Sequence, residues 1–192
     1  MAFDKNQVNQ SIADFSVKKL LTDLLDAITG GSFNDITATA AEINRAADTS
    51  ARLVSATAAT LTVTEASHDQ KLIALNKADG ITVTLPAATG SGAIYEFIVG
   101  TSASGGSYVI KVADATDVMD GMVLTADDTA TPVNGVWVTA ADTDTITLNG
   151  GSQGGLIGDT IRLVDIATNQ WVVHGVLKQS GAEATPFSAT VA

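Results

Sequence analysis

The residues best suited to chemistry in this 192-residue chain are carboxylates. Between Lys111 and Arg162 lie Asp114, Asp117, Asp120, Asp127, Asp128, Asp142, Asp144 and Asp159, with no base among them. Carboxylates converging from loops bind a hard cation such as calcium. The run Asp114-x-x-Asp117-x-x-Asp120-Gly121 lacks the one-apart ligand spacing of an EF-hand loop, so it reads first as a solvated acidic surface and second as a calcium site. No metal ligand set is assigned. The two histidines are His68, in a turn before a strand at Leu72, and His174, between Val173 and Gly175 in a strand where an exposed or hydrogen-bonded ring is expected.

Nucleophilic and phosphate chemistry has no nucleus here. The chain has no cysteine, no G-x-S-x-G elbow, no H-E-x-x-H and no G-x-x-x-x-G-K-[ST]. The glycine stretches Gly90-Ser91-Gly92 and Gly150 to Gly155 read as loop punctuation, because neither opens a helix on which a phosphate would dock. Sugar binding is the rival chemistry, with Tyr95, Tyr108, Trp137 and Trp171 available to stack on rings. With aromatics at only 5% of the chain, a β domain needs those rings in its core. No catalytic or cofactor-binding residue is assigned, and the chain is read as a non-enzyme.

Composition narrows the class. Ten basic residues against 21 acidic ones leave a formal charge of −11, which excludes a generic nucleic-acid binder, since phosphate recognition needs clustered Lys and Arg. Hydrophobic residues make up 45% and charged ones only 16%, the balance of a folded chain rather than a disordered one. No run reaches the ~18 apolar residues of a spanning helix. The start, MAFDKNQVNQSIADF, lacks a signal pattern, so no membrane role or crossing is expected.

The elements that must position these groups are strands. Period-2 runs recur from Thr60 onward: 60–64, 81–86, 95–99, 108–112, 135–139, 145–148, 160–164 and 171–177, separated by Gly, Asn, Asp or Pro. Thr on one face and Val, Ile or Leu on the other is the pattern of half-buried antiparallel strands. The expected fold is mainly β: an antiparallel sandwich, jelly-roll-like or barrel domain of about ten strands over residues 57–192. Sliding the chain by 63 residues superposes Thr82, Thr84 and Leu85 on Thr145, Thr147 and Leu148, Gly92 on Gly155, and Ile98 on Ile161. This predicts an internal pseudo-duplication, two similar β motifs facing each other around one core.

Residues 1–56 differ. Ile12, Phe15, Val17, Leu21, Leu24 and Ile28 recur at helical spacing until Gly30-Gly31, which predicts a short amphipathic helix packed either on its own domain or on a neighbouring subunit. Thr39 and Glu42 fit a capping box opening a second short helix to about Ala47. This segment is read as a helical docking and oligomerisation piece, and those six apolar residues are its candidate interface. Its Lys18, Lys19, Arg45 and Arg52 contrast with the acidic β body, so the N-terminal end is expected to dock and the β body to face solvent.

Taken together and in order, TAAEIN, LTVTEASHDQKLIALNKADGITVTLPAATGSGAIYEFIVG, YVIKVADATDVMDG, TITLNG, GDTIRLVDIATNQWVVHGVL and ATPFSATV resemble the head-decoration, or capsid-cement, proteins of tailed bacteriophages. The resemblance covers the chain from about Thr37 to the end. It implies a protein made in the host bacterial cytoplasm and carried on the capsid exterior, commonly as a trimer that clamps adjacent major capsid proteins. Alternating Thr/Val strands and an AAEIN segment also occur in phage tail fibres, so a head or tail fibre with a receptor- or glycan-binding role is the alternative.

Overall fold

A computed structural model describes Thr39, Ile43 and residues 52–127 and 134–191. The chain divides into two compact units, Met1–Ala47 and Asp48–Ala192. In the first, Ile43 is helical and its amide donates to the Thr39 carbonyl at 3.0 Å. The expected helix over Ser11 to Thr29, and Glu42 of the capping box, lie outside the described residues.

The second unit is built from strands β1 (Leu53–Ala56), β2 (Thr60–Thr62), β3 (Lys71–Leu75), β4 (Ile81–Thr84), β5 (Ile94–Val99), β6 (Tyr108–Lys111), β7 (Val118–Asp127), β8 (Asn134–Val138), β9 (Thr145–Leu148), β10 (Thr160–Ala167), β11 (Gln170–Gln179) and β12 (Phe187–Ser188). A one-turn helix α1, Glu65–His68, precedes β3. The eight runs read from alternation all contain strands. β1, β3, β7 and β12 escaped that reading because they are short or lack a strict polar face, although a strand at Leu72, in β3, was expected after the His68 turn.

Two sheets share one core. The larger runs β1-β3-β5-β10-β11-β7-β8 and the smaller β12-β9-β6-β4-β2. Pairing is mixed, which corrects the antiparallel expectation. β1, β3 and β5 are parallel neighbours, as are β2, β4 and β6, while β7 lies parallel to β11. The first six strands therefore alternate between the sheets, so that the chain winds through three successive turns with three to nine residues at each crossing. Period-2 alternation reports a pleated, half-buried strand but carries no direction. Direction is decided by which sheet the chain returns to.

Alternating side chains from both sheets fill the space between them. Ile81 and Val83 point inward from β4 while Thr82 and Thr84 are half-buried on its other face. Phe97, Leu163, Trp171 and Val173 of the larger sheet meet Val83, Ile110, Ile146 and Leu148 of the smaller in one cluster. Tyr95 and Trp171 pack with ring centroids 5.7 Å apart. Full burial of each aliphatic side chain contributes roughly 1.5–3 kcal/mol.

The strands that the 63-residue shift relates are placed as follows. β4 and β9 are both in the smaller sheet, flanking β6, and β5 and β10 are neighbours in the larger. β6 and β11, also superposed by the shift, belong to different sheets. The related segments thus lie side by side across both sheets rather than facing each other.

Candidate functional site

The acidic stretch turns partly inward. Asp117, only 1% exposed, Asp144 and Asp159 are buried, as are Asp69 and Asp165 outside the run. This corrects the solvated-surface reading for those residues, while Asp114, Asp120 and Asp142 remain exposed. Buried carboxylates need hydrogen-bond donors, and backbone amides supply them. Asp165 accepts from the amides of Thr89, Gly90 and Ser91 at 2.7–3.1 Å, and from the Thr89 and Ser91 hydroxyls. Asp159 accepts from Gly155, Leu156 and Lys178. Asp144 takes the Thr190 and Val191 amides and so ties down the end of the chain.

The glycine turns therefore do cradle an anion, through successive amides. The anion is the protein's own carboxylate. Burial pushes the Asp159 carboxyl above its ordinary range, and its amide donors and Lys178 only partly offset this. Burial also pushes Asp165 upward, but the amides of Thr89, Gly90 and Ser91 outweigh it, so the net shift is downward. Asp117 accepts one amide, from Ala88 at 3.1 Å, and its Oδ1 has no hydrogen-bond partner. Burial, with the Asp114 and Asp165 charges nearby, raises its pKa. Among the described residues no group of three or more His, Asp or Glu could hold a metal ion.

The aromatic rings considered for sugar stacking sit mostly in the core. Tyr95, Tyr108 and Trp171 are fully buried, and half-buried Trp137 donates its indole N–H to the buried Gln179 side chain at 3.0 Å. The Tyr108 hydroxyl joins the sheets. It donates toward the Leu75 and Thr101 carbonyls and accepts the Lys77 amide. His174 is exposed on β11, as expected, and His68 is buried with its Nδ1 accepting the Thr64 amide.

Among the described residues, the outer face of the larger sheet carries a group of exposed apolar side chains. Cross-strand pairing lines up Leu53, Leu72, Glu96, Arg162, His174, Met122 and Val138 in one row over all seven strands. The adjacent row is Ser55, Ala74, Ile98, Thr160, Val176, Leu124 and Val136, without a charge. At the β7-β8-β11 end, Met122, Leu124, Val136, Val138 and Val176 are all exposed, Val138 to 64%. At the other end a shallow groove of about 430 Å³ gathers Arg52, Lys71 and Arg162 against the single acid Glu96. None of these three cations is in an ion pair among the described residues, where Lys77 and Asp79 form one at 2.9 Å.

The six residues expected to form an interface, Ile12, Phe15, Val17, Leu21, Leu24 and Ile28, lie outside the described residues. The exposed apolar group on β7, β8 and β11 was not anticipated, yet it left a trace. Met122-Val123-Leu124 and Val136-Trp137-Val138 are apolar at consecutive positions, hence on both faces of a strand, the pattern of strands covered on both sides. Among the described residues, no helix is long and apolar enough to cross a membrane. No family model, no curated protein and no solved structure matches the chain.

Proposed function

We propose that this chain is a non-enzymatic structural protein of a tailed-bacteriophage virion. It decorates the capsid exterior as a trimer, binds the major capsid protein and stabilises the shell. The observation that supports this reading is the outer face of the larger sheet, where five large apolar side chains lie exposed together on β7, β8 and β11 among the described residues. Contiguous exposed apolar surface marks a site of protein association. The buried carboxylates of Asp165, Asp159 and Asp144 fit the same reading, because they are engaged in holding turns and the C-terminal stretch. A ligand that binds only the assembled shell stabilises it by mass action, and three-fold symmetry lets one modest contact act three times.

Electron microscopy of intact particles tests this. Density for the chain on the outer shell, in hundreds of copies, is the expected result. A few copies at the tail would replace it with the fibre reading, and absence from the particle would overturn both. Removal of residues 1–31 tests the docking role of the N-terminal segment, with loss of capsid binding expected.

A further inference from the structure

The outer face of the larger sheet is balanced in charge. Its outward positions on the seven strands carry Arg162 and Lys178 against Glu96 and Asp120, two positive and two negative, on a chain of net charge −11. Two copies brought together through an acid-rich surface oppose acid to acid. On this face they do not. Like-charge juxtaposition costs several kcal/mol at an interface. The smaller sheet's outward rows, Thr60-Thr82-Val109-Thr147 and Thr62-Thr84-Lys111-Thr145-Ser188, also hold no acid. Among the described residues, only the larger sheet's face combines balanced charge with the exposed apolar side chains on which identical acidic chains can meet.

The edge of the sheet points the same way. β8 is the last strand of the sheet, and its sequence Asn134-Gly135-Val136-Trp137-Val138 holds no charge and no proline. Edge strands of solitary proteins are guarded by such residues, because an apolar edge with free backbone groups recruits other strands. Beside this edge, Leu124, Val136 and Val176 border an open groove of about 330 Å³, next to the projecting Met122 and Val138. Knob and hollow therefore adjoin on one patch, which a symmetric contact requires.

We propose that Met122, Leu124, Val136, Val138 and Val176 form a homotypic contact, buried against the same residues of other copies of this chain around a symmetry axis. The proposal rests on the reading of the chain as a multi-copy assembly protein, and it assigns this patch to other copies rather than to the capsid.

Light scattering on the full chain, with Leu124→Lys and Leu53→Lys beside the wild type, tests it. Leu53 is equally exposed but lies on the opposite edge of the sheet. The wild type and Leu53→Lys are expected to be oligomers, and Leu124→Lys to fall two- to three-fold in mass to a single chain with unchanged circular dichroism. Since the chain lacks cysteine, Val138→Cys with a short bismaleimide supplies a second reading, expected to give covalent dimers. A monomeric wild type, an oligomeric Leu124→Lys, or cross-linking through Leu53→Cys but not Val138→Cys overturns the inference. Capsid binding by the wild type is scored separately. If it persists while the patch fails these tests, the virion role stands and only the homotypic contact falls.

Discussion

Thr89 donates its backbone amide to both carboxylate oxygens of Asp165, at 3.1 and 3.0 Å, across 76 positions of chain. This joins the loop between β4 and β5 to the end of β10, and with it the parallel winding to the antiparallel part of the larger sheet. Asp165→Ala strands three amides and two hydroxyls. It is expected to cost about 3 kcal/mol, measured by urea unfolding, since buried donors left unpaired cost ~1–3 kcal/mol each before relaxation. Because the folded pKa of Asp165 lies below its unfolded value, this contribution is present above the ordinary carboxylate pKa and is lost as pH falls through the folded one. A variant whose acid sensitivity below pH 4 matches the wild type would contradict this role.

Asp117 carries the opposite sign. Its folded pKa is raised, chiefly by burial, so the folded state holds the proton more tightly than the unfolded one and stability declines as pH rises through that window. Asp117→Asn keeps an acceptor for the Ala88 amide and removes the buried charge. The variant is expected to melt higher than the wild type at pH 7 and to lose the advantage near pH 3.5. Equal gains at both pH values would mean that charge is not the cause.

Tyr108→Phe tests the link between the sheets. The change removes a hydroxyl that serves Leu75 and Thr101 of the larger sheet's connections and accepts the Lys77 amide. A cost of about 2 kcal/mol is expected, with a lower urea midpoint and an unchanged m value. Burial raises the Tyr108 phenol pKa, so its ionisation disfavours the fold, and the wild type should lose stability as pH rises above the ordinary tyrosine range. The variant should lose less.

Gly80→Ala tests the turn from β3 to β4. Gly80 has φ +87°, and a Cβ there would sit 2.2 Å from the Ser107 carbonyl oxygen, a backbone atom that cannot rotate away. Strain and clash together should cost about 3 kcal/mol. A melting temperature within 2 °C of the wild type, where a loss of roughly 10 °C is expected for a domain of this size, would refute it.

Much of this fold is written locally. Thr145-Ile146-Thr147-Leu148 is read as a strand with its observed bounds, because alternation is a property of four adjacent residues. The burial of Tyr95 and Trp171 follows from scarcity, since a core this large has few aromatic rings to draw on. Exposed His174 is likewise evident from its place in an alternating run. What neighbouring residues do not encode is pairing. β1, β3 and β5 lie parallel only because β2 and β4 cross to the other sheet between them, a relation over 19 to 24 positions at each step. Asp117, Asp144 and Asp159 read as solvated because a carboxylate in water and one held by distant amides are the same letter. Their donors, such as Ala88 for Asp117 and Lys178 for Asp159, come from elsewhere in the chain. The apolar patch of Met122, Leu124, Val136, Val138 and Val176 arises partly in the same way: β7 and β8 follow each other in the chain and carry four of its members, but only the long-range pairing of β7 with β11 sets Val176 beside them. Local spacing determined which residues form strands and which way their apolar sides turn. Long-range backbone hydrogen bonding decided which strands meet, and so which carboxylates are buried and which surface is left to receive a partner.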